Sequence, residues 1–195
     1  MAEPQSWNSA YQAVPPWDIG RPQRPFLTLA AAGRLRGRFL DAGCGTGEHT
    51  LLAAAHGADA LGVDIAELAI DRARAKAAER GIDATFQVAD VLGLESLGRE
   101  FDVVVDSGVF HVFDDDERLA YVSSLTAALR PGGMYYMMCF SDREPGTWGP
   151  RRISEAELRT AFADNWSIRS LEAATFEVTI DPGRTHAWLA TIERT

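Results

Sequence analysis

From Arg38 onward, apolar positions recur along the chain in two alternating periods. Phe39-Leu40 opens a short apolar strand that runs into Asp41-Ala42-Gly43-Cys44-Gly45-Thr46-Gly47. Leu51, Leu52 and Ala55 then follow at helical spacing, and Gly57 supplies the residue that suits a left-handed helix end. Leu61-Gly62-Val63 forms a second strand that stops at Asp64. Ile65, Leu68, Ala69, Ala73 and Ala77 make one stripe of a helix over 65–80, with Gly81 as its stop. Ala84 to Val88 and Phe101 to Val105 read as a third and a fourth strand. The acidic run Asp114-Asp115-Asp116-Glu117 suits a helix start, where negative charge meets the helix dipole. That helix is expected to turn Leu119, Val122, Leu125 and Leu129 inward and to end at Pro131-Gly132-Gly133. Met134 to Phe140 is a fifth, continuously apolar strand. Ser154-Glu155-Ala156-Glu157 matches a capping box for a helix over about 155–163. Two strand-like segments, about 167–179 and 185–192, flank a turn at Asp181-Pro182-Gly183.

Strands separated by helices imply a parallel sheet covered on both faces, because a parallel crossover needs a helix. The expected fold is therefore α/β, a Rossmann-like doubly wound sheet of seven strands, mostly parallel with an antiparallel last strand. The whole chain, 1–195, reads as a single domain, with a catalytic core over 37–195. Residues 1–36 differ in texture. Pro4, Pro15, Pro16, Pro22 and Pro25 bias that stretch away from regular helix, yet Trp7, Tyr11, Trp17 and Phe26 are interleaved with them. So many aromatics argue against a disordered tail. Two readings stand: an arm packed on the core, and an aromatic flap over a ligand.

Composition narrows the partners. The 195 residues carry 19 Lys+Arg against 28 Asp+Glu, a formal charge of −9, and 46% are apolar. The apolar fraction is that of an ordinary globular chain. The acidic balance disfavours nucleic acid, and Lys76 is the sole lysine among scattered arginines. No apolar run approaches the ~18 residues of a membrane span, and no secretory leader is evident at the amino terminus. Cys44 and Cys139 stand far apart without metal-ligand spacing, which fits a reducing cytoplasm. A small-molecule partner is the expectation, with monomer and homodimer both open.

The glycine cluster carries the chemistry. Gly43-x-Gly45-x-Gly47 lies between a strand and a helix, where a close turn lets a ligand approach the backbone. The spacing is not the G-x-G-x-x-G of the dinucleotide fingerprint, and Asp41 beside it would repel a pyrophosphate. It suits a cationic, amino-acid-like ligand instead. Three further acids fall at strand ends. Asp64 is placed to accept ribose hydroxyls, Asp90 to accept from an adenine amino group, and Asp106 to face the reacting centre. One such residue alone would be read as a solvated or capping Asp. Four at predicted strand ends point to a site at the carboxyl edge of the sheet.

These residues resemble the class I S-adenosylmethionine-dependent methyltransferases. Phe39 to Gly47 looks like the family's first motif. Gly62-Val63-Asp64, Ala89-Asp90, Phe101 to Asp106 and Leu129-Arg130-Pro131-Gly132-Gly133 resemble its later motifs in order and rough spacing. The resemblance covers roughly residues 37–140. It implies S-adenosyl-L-methionine as cofactor, with Asp41, Gly43 and Gly45 at its methionine part, Asp64 at the ribose and Asp90 at the adenine. Val91, Ile65, Cys44, Trp17 and Asp106 complete the expected cofactor contacts. Pro16-Trp17-Asp18-Ile19-Gly20-Arg21-Pro22 is similar to a segment of the thiopurine, thiol and halide methyltransferases. It also looks like that of mycobacterial enzymes acting on hydroxylated heterocyclic toxins, with which Ser107-Gly108-Val109-Phe110-His111 is shared. A hydroxylated aromatic heterocycle is the favoured acceptor, and a thiol or halide is the alternative.

Methyl transfer from a sulfonium is an in-line displacement governed by proximity and orientation. A hydroxyl or thiol acceptor must also lose a proton. His111 is the expected base by its ordinary pKa, with an orienting role as the other reading, and Asp106 is its expected catalytic companion. Trp17, Phe110, His111, Phe113 and Trp148 are the expected acceptor walls. His49 reads as a packing or helix-surface residue. Asp106-Ser107-Gly108-Val109 lacks the Pro-Pro-aromatic segment of enzymes that methylate amino groups of DNA bases. A nicotinamide-dependent reductase, disfavoured by Asp41, and a non-catalytic cofactor-binding module are the competing classes.

Overall fold

A computed structural model of the chain describes residues 4–181 and 183–195; Met1, Ala2, Glu3 and Pro182 of the expected hairpin turn lie outside the described residues. Helices α1 (Pro4–Ala10) and α2 (Arg24–Ala31) precede the sheet. The chain then runs β1 (Arg38–Ala42), α3 (Glu48–Ala55), β2 (Asp59–Asp64), α4 (Glu67–Arg80), β3 (Thr85–Val88) and β4 (Phe101–Ser107). It continues with α5 (Asp115–Ala128), β5 (Leu129–Phe140), α6 (Glu155–Ala161), β6 (Trp166–Glu177) and β7 (Arg184–Arg194). Among the described residues one sheet of seven strands forms, in the order β3-β2-β1-β4-β5-β7-β6. The first five strands are parallel, and β7 inserts antiparallel between β5 and β6. Strand order reverses between β1 and β4, which opens a crevice at their carboxyl ends.

Local signals account for most boundaries. Gly81 ends α4 in the left-handed region at φ 62°. Asp114 and Ser154 cap α5 and α6, each with a reciprocal glutamate three residues on. Three details differ from the sequence reading. The proline-rich arm contains regular helix: Pro25 sits in the first turn of α2, where its missing N–H costs nothing. Pro131-Gly132-Gly133 does not end α5 but lies inside β5, whose pairing with β4 shifts register between Phe101 and Val103. Leu119 is 65% exposed, whereas Leu125 and Leu129 are buried as expected and Tyr121, Ser124 and Ala128 are turned inward with them.

Both faces of the sheet are apolar. On one, Leu40, Val104, Tyr135 and Met137 meet Phe110, Tyr121, Leu125 and Phe162. On the other, Phe39, Val105 and Met138 meet Phe26, Ala30 and Leu35, so the second half of the arm belongs to the core.

Candidate active site

A cavity of about 690 Å³ opens at the carboxyl ends of the strands, beside the point where strand order reverses. Its wall on the β1–β3 side is the glycine loop with Asp64, Ile65, Asp90 and Val91. The other side carries His111, Phe113, Phe140, Trp148 and Phe176, from the loop after β4, from β5 and the loop beyond it, and from β6. Trp7, Tyr11 and Trp17 of the arm close it from above.

The loop is held by its own backbone and by two aspartates. Gly43 and Cys44 both donate their amides to the Val63 carbonyl at 2.8 Å, which folds the turn over the end of β2. Gly43 has φ 72°, and a Cβ there would stand 2.2 Å from Val109 Cγ2. Gly47 has φ 87° as the N-cap of α3, where a Cβ would meet Phe86 at 2.7 Å. Asp64 accepts from Gly45 N at 2.8 Å through Oδ2 and from Ala66 N at 2.9 Å through Oδ1. Burial raises its carboxyl above the usual range while these amides oppose the shift. Asp90 is exposed, lines the cavity and accepts from Leu92 N at 2.9 Å through Oδ1.

Asp41, Asp106 and Phe110, expected in contact with ligand, do not line the cavity. Asp41 lies buried, engaging Thr50 N and Oγ1 at 3.0 and 2.8 Å through Oδ2. Its Oδ1 is buried without a partner, and desolvation pushes the carboxyl up to about 7. Asp106 accepts from Val109 N, Phe110 N, Tyr121 Oη and Tyr135 Oη, all within 3.2 Å. Burial pushes it up to about 6 against those four donors. It folds the loop that carries His111 and does not face the reacting centre. Phe110 is fully buried, stacked on Phe162 at 5.7 Å, because the short 3₁₀ turn after β4 (Phe110–Val112) turns it into the core.

His111 faces the cavity with its Nδ1 turned to the backbone. Phe140 N donates to its Nδ1 at 2.9 Å, so the neutral ring carries its proton on Nε2. That nitrogen lies against Gly108, whose backbone hydrogen-bonds the ring, and on the side of Phe176, both in the cavity wall. Burial lowers the ring's pKa to about 3. The ring is therefore a neutral donor at pH 7 whose one lone pair is already bonded to the backbone. The lone pair that the expected base role needs is held by the Phe140 amide.

The arm is fastened on both sides of the opening. Asn8 Oδ1 accepts from Leu68 N, and Thr46 Oγ1 donates to Asp18 Oδ2 at 3.0 Å. Gln23 exchanges two hydrogen bonds with the Glu177 backbone, Arg21 pairs with the Glu177 carboxylate at 2.9 Å, and Thr179 N donates to the Pro16 carbonyl. Trp17 is 40% exposed, donates Nε1 to Tyr11 Oη at 3.1 Å and meets Trp7 edge-on at 6.0 Å. Both readings of the arm thus describe one segment, packed through Tyr11 and roofing the cavity through Trp17. Sequence reasoning assigns no site role to His49, Gln23 or Phe176, and includes Tyr11 only among the aromatics of the flap. His49, two residues beyond the last loop glycine and expected as a packing or helix-surface residue, is buried as packing requires, and it also lines the cavity and accepts from Gln23 N at 3.1 Å.

A family model described as a methyltransferase domain matches residues 39–133. The chain is 37% identical over 165 residues to a 2-heptyl-1-hydroxyquinolin-4(1H)-one methyltransferase of Mycobacteroides abscessus, covering 83% of this chain and 73% of that protein. It is 28% identical over 155 residues to a probable thiol methyltransferase of Arabidopsis thaliana, covering 77% and 68%. A solved structure from work on the conversion of a disulfide bond into a thioacetal group during echinomycin biosynthesis superposes with a TM-score of 0.89. Its sequence is 35% identical, with 98% of this chain and 93% of that chain covered. The magnesium protoporphyrin IX methyltransferase of Synechocystis PCC 6803 with S-adenosylmethionine bound gives 0.67 at 26% identity, with coverage of 87% and 76%.

Proposed function

Because this chain belongs to the class I S-adenosylmethionine-dependent methyltransferases, we propose that it transfers a methyl group from S-adenosylmethionine to a small aromatic acceptor. The favoured acceptor atom is the oxygen of a hydroxylated heterocycle, as in the substrate that names the Mycobacteroides relative. The observation that carries this reading is the division of one cavity. Carboxylates and glycine backbone line the half under β1–β3, and five aromatic or imidazole rings line the other.

The residues fit the cofactor. Asp64 presents a carboxylate at the cavity wall, held in place by two amides, to the ribose hydroxyls. Asp90 is placed for the adenine amino group, with Ile65 and Val91 as apolar neighbours of the ring. Gly43, Cys44 and Gly45 offer backbone to the methionine part. Asp41 acts from beneath this loop, and its unpartnered Oδ1 leaves a buried acceptor under a site for a cationic ligand. When bound, the cofactor supplies an electrophilic methyl on a sulfonium. The protein's own work is to orient the acceptor behind that methyl and to exclude water. Phe113, Trp148 and Phe176 wall the acceptor, and Trp17 with Tyr11 closes the roof. The arm, 1–36, and the core, 37–195, act together as one catalytic domain.

A sulfur acceptor is the second reading, supported by the thiol methyltransferase relative and by the sulfur chemistry of the echinomycin neighbour. In either case the acceptor is a small molecule and not nucleic acid, and the protein works as a monomer or homodimer in a reducing compartment such as the cytoplasm. The test is release of S-adenosylhomocysteine across N-hydroxyquinolones, phenols, thiols and iodide. Turnover on the first two, and little on iodide, is the expected result. Tight cofactor binding with no product on any acceptor would leave a binding module in place of an enzyme.

A further inference from the structure

Methylation of a hydroxyl or thiol requires its proton to go somewhere, and among the described residues the aromatic half of the cavity offers no side chain with a free lone pair to take it. His111 Nδ1 is taken by the Phe140 amide. The other cavity histidine, His49, is taken in the same way by the Gln23 amide at Nε2. The carboxylates around this half are engaged as well. Glu177 faces Arg21, Asp18 faces the Thr46 hydroxyl and the Gly20 amide, and Glu48 faces Lys76 and Arg80. Glu144, just beyond β5, accepts from His186 N at 2.7 Å. Asp106 behind the wall already holds four donors.

The positive charges are distributed differently. Arg151 pairs with Asp115 and Glu157. Arg152 makes no ion pair among the described residues: its guanidinium donates to the carbonyls of Trp148, Pro150 and Pro145, and its Nε is buried without a partner. It sits 5.8 Å from the ring centres of both Phe140 and Trp148, which form the cavity wall. His111 packs edge-on against the same Phe140 at 5.0 Å. A ring N–H shared with the Gly108 backbone and, behind the wall, a cation without an ion pair therefore stand on one side of the acceptor space.

We propose that this half of the cavity receives its acceptor already ionised: His111 donates its Nε2–H to the anionic oxygen or sulfur, Arg152 balances the charge from behind the Phe140 and Trp148 rings, and no side chain removes the proton. This rests on the reading of the chain as a methyltransferase of small acceptors and specifies their class. They are acids that ionise near neutral pH, such as N-hydroxy heterocycles, acidic phenols and aryl thiols, and not aliphatic alcohols. The proton leaves to water before the acceptor docks. A lone pair of the anion then forms the bond to the methyl carbon, and the carbon–sulfur bond breaks with its electron pair staying on sulfur. The anion and the sulfonium become two neutral products.

The test uses 4-nitrophenol, whose anion is yellow and whose acid form is not, bound to the full chain loaded with S-adenosylhomocysteine. Below the free pKa of the probe, the bound form should be the phenolate, by a preference of about tenfold over solution, the size of one hydrogen bond to a charged group. His111→Phe and Arg152→Met should each lose most of that preference, and His111→Gln, which keeps an N–H donor, should retain part of it. Cofactor affinity, measured by calorimetry on each variant, reports that the site is still folded. Probe bound as the neutral phenol, or not bound at any pH, overturns the proposal, as does a phenolate band that survives in both the Phe and Met variants. In turnover, the bend of kcat/KM against pH should follow the acceptor's own pKa across a series of phenols. A bend fixed at one pH for all of them would reveal a base in the protein and sink the inference, while leaving methyl transfer itself intact.

Discussion

Asp64→Ala is the substitution whose outcome the structure changes most. Its carboxylate does two things at once: it stands at the cavity wall for the ribose, and it holds the amides of Gly45 and Ala66. A hydrogen bond to a charged group is worth roughly 1.5–3 kcal/mol. Losing it at the ribose weakens cofactor binding by roughly ten- to a hundredfold, at 1.4 kcal/mol for each factor of ten. The loop amides also lose their acceptor, at about 1–3 kcal/mol for a buried donor left unpaired. For a chain of this size each kcal/mol moves the melting point by roughly 2–4 °C, so the variant should melt several degrees early. From the sequence alone Asp64 has only the ribose to serve, and the fold would be untouched. Calorimetric titration with S-adenosylhomocysteine and a thermal melt of the unliganded protein separate the two effects. Asp64→Asn serves as the control, since its remaining oxygen can keep one amide. A folded Ala variant with unchanged affinity would refute the ribose assignment, and an unchanged melting point would refute the loop role.

Removing residues 1–20 keeps Gln23, Phe26 and all of α2, so the protein should still melt cooperatively. Turnover should fall to a few per cent for want of a roof, and full activity in the truncated protein would reduce Trp17 to packing. Asp106→Asn puts an amide group against the Val109 or Phe110 N–H and should cost roughly 1–3 kcal/mol. Turnover should fall with it through displacement of His111, while cofactor affinity holds; a tenfold loss of affinity would instead place Asp106 at the ligand. His49 is buried neutral, with its pKa lowered by desolvation from 6.5 to about 4. Because the unfolded chain binds the extra proton, its stabilising contribution is complete above pH 6.5 and is lost as pH falls towards 4. Denaturant unfolding of wild type and His49→Gln should therefore converge or cross on acidification, the wild type losing roughly 3 kcal/mol more over that span. A difference that does not change with pH would mean that the ring is not held neutral.

The strands, the helix caps and the glycine turn were legible because each depends on residues close together in sequence. A loop glycine at positive φ, a capping box and a strand-end aspartate announce themselves within a few positions, whatever the rest of the chain does. That was enough for the sheet, its crossovers, the family, and the glycine-loop and strand-end residues that line the β1–β3 side of the cavity. In the other half the wall residues Trp17, His111, Phe113 and Trp148 were legible but their chemistry was not, because it depends on partners far away along the chain. His111 carries the same letters whether it is a base or a donor. What decides between them is the Phe140 amide, brought opposite Nδ1 by the pairing of β4 with β5. Asp106 looks like a fourth site acid until Tyr121 and Tyr135 close over it from α5 and β5. The arm's prolines and aromatics left a packed arm and a flap both open, and its course was set by Gln23 and Arg21 meeting Glu177 at the far edge of the sheet. Local sequence determines which backbone shapes and which charges are available; the burial and hydrogen-bond partners that turn a histidine or an aspartate to one use exist only once the strands have been brought together.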